Sequence, residues 1–137
     1  MNMGKVLIIG CGGVASVTIQ KCCQVSNVFE EICIASRTKS KCDELKEKLE
    51  GKTSTIITTA QVDADNLDQL IQLINRVRPD LVMNIALPYQ NLTIMDACLA
   101  CNVSYLDTAN YEPEDITDPK WRKVYERRLE EKGFSAY

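Results

Sequence analysis

Glycines at positions 10 and 12 and an alanine at 15 stand in the spacing G-x-G-x-x-A, within Gly10-Cys11-Gly12-Gly13-Val14-Ala15. This spacing suits a loop that holds a pyrophosphate, but alone it is a weak signal, because glycine is common in any turn. Its context strengthens it: the loop directly follows the apolar run Lys5–Ile9 (KVLII) and opens a stretch of helical pattern. Gly10 lets the chain turn sharply, Gly12 lets backbone approach the anion, and Ala15 keeps the helix near the strand. From Gly13 and Val14 onward, free first-turn amides and the helix dipole favour negative charge. A glycine-rich turn with no ligand is the alternative, and the surrounding strand–helix frame speaks against it.

A second group of residues bears on which dinucleotide such a loop would take. An acid at the end of the second strand would hold both ribose hydroxyls of NAD and repel a 2′-phosphate. Here the strand ends Ala35-Ser36-Arg37-Thr38-Lys39, with no acid in place. Ser36 and Thr38 offer hydroxyls, and Arg37 offers a planar fork for stacking on adenine and pairing with phosphate. NADP(H) is therefore expected over NAD(H), unless Arg37 and Lys39 are merely solvated positions at a helix start. Asp63 either reaches the adenine amino group or serves as a turn or capping residue. Asn84-Ile85-Ala86-Leu87-Pro88 follows the fourth strand, where backbone would run beside ribose and nicotinamide. Asn84 is equally readable as a buried amide satisfying nearby backbone.

No group stands out for proton transfer, so no catalytic residue is assigned. Histidine is absent, and no tyrosine is followed by lysine at i+4, which argues against a short-chain dehydrogenase. The seven cysteines are odd in number, and Cys22 and Cys23 are adjacent. Several lie in apolar segments, where a thiol packs as a small hydrophobe. Cys98-x-x-Cys101 has metal-ligand spacing but lacks a second pair, so no metal is expected.

The elements that must position these residues alternate strand and helix. Strands are expected at Lys5–Ile9, Glu31–Ser36, Thr55–Val62, Leu81–Ile85 and Ser104–Leu106. Helices are expected at Val14–Gln24, Ser40–Leu49, Leu67–Val77, Thr93–Cys101 and Lys120–Lys132, with Phe134–Tyr137 opening a sixth strand. Leu67, Leu70, Ile71, Ile74 and Val77 share one helical face, and Pro79-Asp80 breaks that helix. Such alternation implies an α/β Rossmann-type doubly wound parallel sheet of order 3-2-1-4-5, a single domain over residues 1–137. Ligand belongs where the sheet changes direction, between strands one and four.

At 137 residues with 45% hydrophobic and 26% charged residues, the chain has the profile of a globular protein. A net charge of −3 gives no reason to expect nucleic acid. Val6–Ile9 and Leu81–Met83 are too short to cross a bilayer. With no signal-peptide pattern and with reduced thiols, a cytoplasmic location is expected.

Val6–Ala15 (VLIIGCGGVA), Ile34–Thr38 (IASRT), Asn84–Pro88 (NIALP) and Tyr105–Tyr111 (YLDTANY) together resemble the N-terminal domain of the saccharopine dehydrogenase family, most closely its carboxynorspermidine branch. The resemblance covers essentially the whole chain. It implies condensation of an amine with a carbonyl compound and NAD(P)H reduction of the imine, or the reverse. For that branch it implies aspartate semialdehyde and a diamine, with NADPH as donor. The family's cofactor positions fall on Gly10, Gly12, Gly13, Val14, Ser36, Arg37, Thr38, Asp63 and Ala86. Asp107, Thr108 and Tyr111 fall at the substrate edge, although Asp107 could instead cap the following loop. Family members are about three times this long, so the chain is expected to be a domain that ends near strand six. The small amine and carbonyl substrates, the catalytic groups and the homodimer interface would belong to the missing part, and the isolated domain would be inactive. A partly unpaired edge at strand five would then favour association. The reading from another class is a stand-alone nucleotide-sensing regulatory module, against which Arg37 counts.

Overall fold

The computed structural model describes residues 4–86 and 90–108. Five strands, β1 (Lys5–Ile9), β2 (Glu31–Ser36), β3 (Ile56–Gln61), β4 (Leu81–Asn84) and β5 (Ser104–Asp107), alternate with four helices. These are α1 (Gly13–Cys23), α2 (Lys39–Leu49), α3 (Leu67–Val77) and α4 (Asn91–Ala100). The order is β3-β2-β1-β4-β5, and every pairing is parallel. The expected order is the observed one, and element ends differ from expectation by at most two residues. The expected helix at 120–132 and the strand opening at 134–137 lie outside the described residues.

Strand β1 is central because both its neighbours are strands and both its faces are covered. Successive side chains on a strand point to opposite faces. Leu7 and Ile9 therefore join Cys33, Ala35 and Val82 on one side, packed by Leu70, Leu73 and Ile74 of α3 and by Ile94, Ala97 and Cys98 of α4. Val6 and Ile8 join Ile32 and Ile34 on the other side, against Ala15 and Ile19 of α1 and Cys42 and Leu45 of α2. Continuous apolar runs are what a strand buried on two faces requires. Cys22, Cys23, Cys33, Cys42 and Cys98 are buried, and all seven cysteines are free thiols.

Two local devices fix the helix ends near the site. The Asn66 side chain accepts the Gln69 amide at 3.1 Å and caps α3, so the cap is Asn66 rather than Asp63. Helix α3 stops at Arg78, which adopts the left-handed conformation with φ 52°, one residue before Pro79. Asp80 then accepts the amides of Gly4 and Lys5 at 3.1 and 3.0 Å, tying the start of β4 to the start of β1.

Candidate functional site

The loop after β1 is wedged between its two neighbouring strands. The Gly10 amide donates to the Ala35 carbonyl at 2.8 Å, and the Ile85 amide donates to the Ile9 carbonyl at 2.8 Å. Gly10 has φ +125°, and a Cβ built there would stand 2.6 Å from the Ile85 carbonyl oxygen. Glycine is required at that position by backbone shape and by close approach together. Gly12 and Gly13 differ: a Cβ at either would meet nothing within 4 Å. No packing within the described residues demands glycine there, and the space above them is open.

Gly12 caps α1 in extended conformation, without any side-chain cap bond, and its carbonyl accepts the Ser16 amide at 2.9 Å. The amides of Gly13, Val14 and Ala15 belong to the first turn, where no preceding helical carbonyl exists to accept them. Val14 is 67% exposed. The loop thus lays uncapped amides, small residues and open space at one end of a helix dipole.

These residues form the floor of a cavity of about 680 Å³ at the carboxyl ends of the strands. It is lined by the whole segment from Ile9 to Ala15, by Ser36, Arg37, Thr38 and Lys41, by Val62 and Ala64, and by Ile85, Ala86, Gln90 and Thr108. It therefore lies where the order reverses between β1 and β4. Gly10, Gly12, Gly13, Val14, Ser36, Arg37, Thr38, Ala86 and Thr108, all singled out from sequence, come together there. Asp63 does not line it, nor does Asp107, and Tyr111 lies outside the described residues.

One side of the cavity carries the charges. Arg37 Nη2 bonds Asp63 Oδ1 at 3.2 Å and Asp65 Oδ2 at 3.0 Å. Asp63 Oδ1 also accepts the Asp65 amide at 3.0 Å, so this carboxylate builds a turn and holds Arg37. Gln90 Nε2 donates to Asp65 Oδ2 at 3.3 Å, linking the start of α4 to the same cluster. The Ser36 hydroxyl donates to the Thr38 carbonyl at 2.9 Å and accepts the Thr38 amide at 3.1 Å, shaping the turn that aims Arg37. Gln61 Nε2 donates to the Arg37 carbonyl at 3.2 Å. Lys39 turns away to pair with Asp43 at 3.0 Å, whereas Lys41, two residues on, lines the cavity. Sequence reasoning passed over Lys41, and no spacing in the sequence set it apart from Lys39.

The other side is a short polar network at the ends of β4 and β5. Asn84 and Asp107 are register partners. Asn84 Oδ1 accepts the Ala86 amide at 3.1 Å, its Nδ2 donates to the Tyr105 hydroxyl at 3.1 Å, and that hydroxyl donates to Asp107 Oδ2 at 2.7 Å. Of the two readings of Asn84, the buried amide that satisfies nearby backbone is the one observed: it is buried, and its side chain holds the Ala86 amide at the cavity wall. Burial raises the Tyr105 hydroxyl's pKa above its ordinary value, and the neighbouring Asp107 carboxylate adds to this. Tyr105 thus stays protonated as a donor. Cys11 lies on the loop, and burial, followed by the nearby Cys42 thiol, pushes its pKa up to about 11. It is not a thiolate nucleophile at neutral pH. Among the described residues, no group of three His, Cys, Asp or Glu side chains is arranged to hold a metal ion. No helix among them is long and apolar enough to cross a membrane.

A doubly wound parallel sheet with an open glycine loop at its switch point defines a dinucleotide-binding Rossmann domain. The sequence model of the saccharopine dehydrogenase NADP binding domain matches residues 6–134, and the chain belongs to that family. It is 41% identical over 136 residues to carboxyaminopropylagmatine dehydrogenase of Synechocystis, covering 98% of this chain and 33% of that protein. It is 43% identical over 110 residues to carboxynorspermidine synthase of Vibrio cholerae, covering 77% of this chain and 27% of that protein. The chain spans about a third of the length of these curated relatives. In fold it is similar to saccharopine dehydrogenase of Saccharomyces cerevisiae, with TM-score 0.70 at 14% identity, over 96% of this chain and 26% of that one. The NADP of the family name fits the residues present: glycines with no contact among the described residues to explain them, uncapped helix amides, and Arg37 with Lys41 beside the end of β2.

Proposed function

We propose that this chain is a single domain that holds NADP(H) within a longer oxidoreductase which reduces an imine, or oxidises the corresponding amine, at a C–N bond. The observation that carries the reading is the pair Gly12 and Gly13, where an added Cβ would meet nothing within 4 Å among the described residues. Amides of Gly12, Gly13 and Val14 would hold the pyrophosphate, and Gly10 would keep the loop beneath it. Ser36, Arg37 and Thr38 would form the ribose end, with Arg37 and Lys41 on the 2′-phosphate. Asp63 would act there through Arg37, and Ala86 backbone would lie beside the ribose and nicotinamide. The cofactor, when bound, supplies or accepts a hydride.

Asp107, Thr108 and Tyr111 would border the substrate, and Tyr105 and Asn84 would hold that border in place. The named relatives favour a carboxylated polyamine as product, made from an amine such as a diamine and a carbonyl compound such as aspartate semialdehyde. The amine and carbonyl sites, the catalytic groups and a homodimer interface fall, on this reading, to the rest of the enzyme. Seven free thiols fit a cytoplasmic location. A nucleotide-sensing module is less well supported, because the family is one of dehydrogenases and the residue that follows β2 is Arg37 rather than an acid.

Calorimetric titration with NADPH and with NADH tests the cofactor part. Tighter binding of NADPH is the expected result. Preference for NADH would overturn the Arg37 assignment, and binding of neither would overturn the phosphate-loop assignment.

A further inference from the structure

Arg37 faces two carboxylates in the structure, and its phosphate-reading role has to be exercised in their presence. Asp63 and Asp65 both bond the same nitrogen, Nη2, and Asp65 Oδ2 is shared with Gln90. The three groups of the ion pair are 65%, 44% and 59% exposed, so water screens them and each contact is weak enough to exchange. The charges on this rim balance: Arg37 and Lys41 are positive, Asp63 and Asp65 negative. A 2′-phosphate, carrying between one and two negative charges near neutral pH, gains little from a neutral rim. It gains when the guanidinium turns from the carboxylates toward it.

We propose that Asp65, supported by Asp63, is a specificity-determining residue that competes with the ligand's 2′-phosphate for Arg37 and so limits the preference for NADP over NAD. The inference rests on the NADP-binding reading above. Asp65 does not line the cavity, so it acts on the nucleotide through Arg37 and through its charge. Its contact with Gln90, which does line the cavity, makes the competition sensitive to the start of α4 as well. NAD lacks the phosphate, does not require Arg37 to leave Asp65, and is indifferent to the exchange.

The test is Asp65→Asn, which keeps the side-chain shape and an oxygen for Gln90 while removing the charge. Binding of NADPH and of NADH is titrated for parent and variant at one fixed ionic strength, with melting temperature as the control on folding. NADPH is expected to bind the variant about two- to fivefold more tightly, the scale of one exposed ion pair, with NADH unchanged. Asp63→Asn with Asp65→Asn should extend the gain. Unchanged or weaker NADPH binding in Asp65→Asn overturns the proposal, since the carboxylate would then be inert or would be holding Arg37 ready. An equal shift for both nucleotides also overturns it. A parent that prefers NADH or binds neither overturns the NADP-binding reading and this inference together. A parent that prefers NADPH beside an unresponsive variant overturns the inference alone.

Discussion

Gly10 lies so close to Ile85 that a methyl group on its Cα would stand 2.6 Å from the Ile85 carbonyl oxygen. The contact joins the phosphate-type loop to the end of β4, the two backbone segments that flank the switch point. Gly10→Ala must therefore shift β4 or the loop, and must also place a side chain at φ +125°. Destabilisation of roughly 3 kcal/mol or more is expected from the strained backbone and the overpacking combined. Chemical denaturation would measure it, and a loss under 1 kcal/mol would contradict the wedge.

Gly12→Ala separates binding from stability. A Cβ there touches no atom of the described residues within 4 Å, so the melting temperature should hold within about 2 °C, corresponding to a surface change of under 0.5 kcal/mol. NADPH binding should weaken at least tenfold, because the Cβ occupies space the pyrophosphate needs. Undiminished binding would remove Gly12 from the proposed site.

Arg37→Asp places a third carboxylate beside Asp63 and Asp65 and removes the cation between them. NADPH affinity should fall by roughly 1.5–3 kcal/mol, the scale of a hydrogen bond to a charged group. NADH affinity should fall less or rise. Equal affinity of parent and variant for NADPH would take Arg37 out of recognition.

Tyr105→Phe cuts the bridge between Asn84 and Asp107 and leaves the buried Asn84 amide one acceptor short. A loss of about 1–3 kcal/mol in stability is expected, the cost of an unsatisfied buried polar group. Hydrogen exchange should show faster opening around Ala86, whose amide Asn84 holds. Unchanged exchange there would mean that Asn84 needs no support from Tyr105.

Alkaline pH should destabilise the fold through the buried thiol of Cys98 and the half-buried thiol of Cys11. Burial pushes the pKa of Cys98 up to about 12 and that of Cys11 to about 11, against 9.0 for an unperturbed thiol. A group whose pKa is higher in the folded state binds more protons there, so stability is complete below pH 9 and declines above it. Melting temperatures recorded with reductant should therefore be flat from pH 7 to 8 and fall toward pH 10. Cys98→Ala, although less stable overall, should show a shallower fall. The same slope in both would locate the effect elsewhere.

Much of the scaffold was legible in the chain because it rests on local chemistry. Short runs rich in β-branched residues, such as KVLII and EICIAS, fit buried strands, and the 67, 70, 71, 74, 77 stripe fits one helical face. With strands and helices alternating, right-handed crossovers leave few orders, and β3-β2-β1-β4-β5 is the common one. The glycine loop was legible because its spacing and its place between a strand and a helix are local, although the contact with Ile85 that also demands glycine at position 10 is not.

What the tertiary structure decided was where long side chains go. Arg37 meets Asp63 and Asp65 across 26 and 28 positions of chain, and Tyr105 meets Asn84 across 21. Lys39 and Lys41 read alike in sequence, yet one pairs with Asp43 and the other faces the cavity. By itself the sequence determined the sheet, its switch point and the loop that lies there, because hydrophobic period and glycine geometry act locally. Only the folded chain decided which charges meet at the rim. An ion pair depends on the distance and direction between side chains on different elements, and no spacing along the chain encodes either.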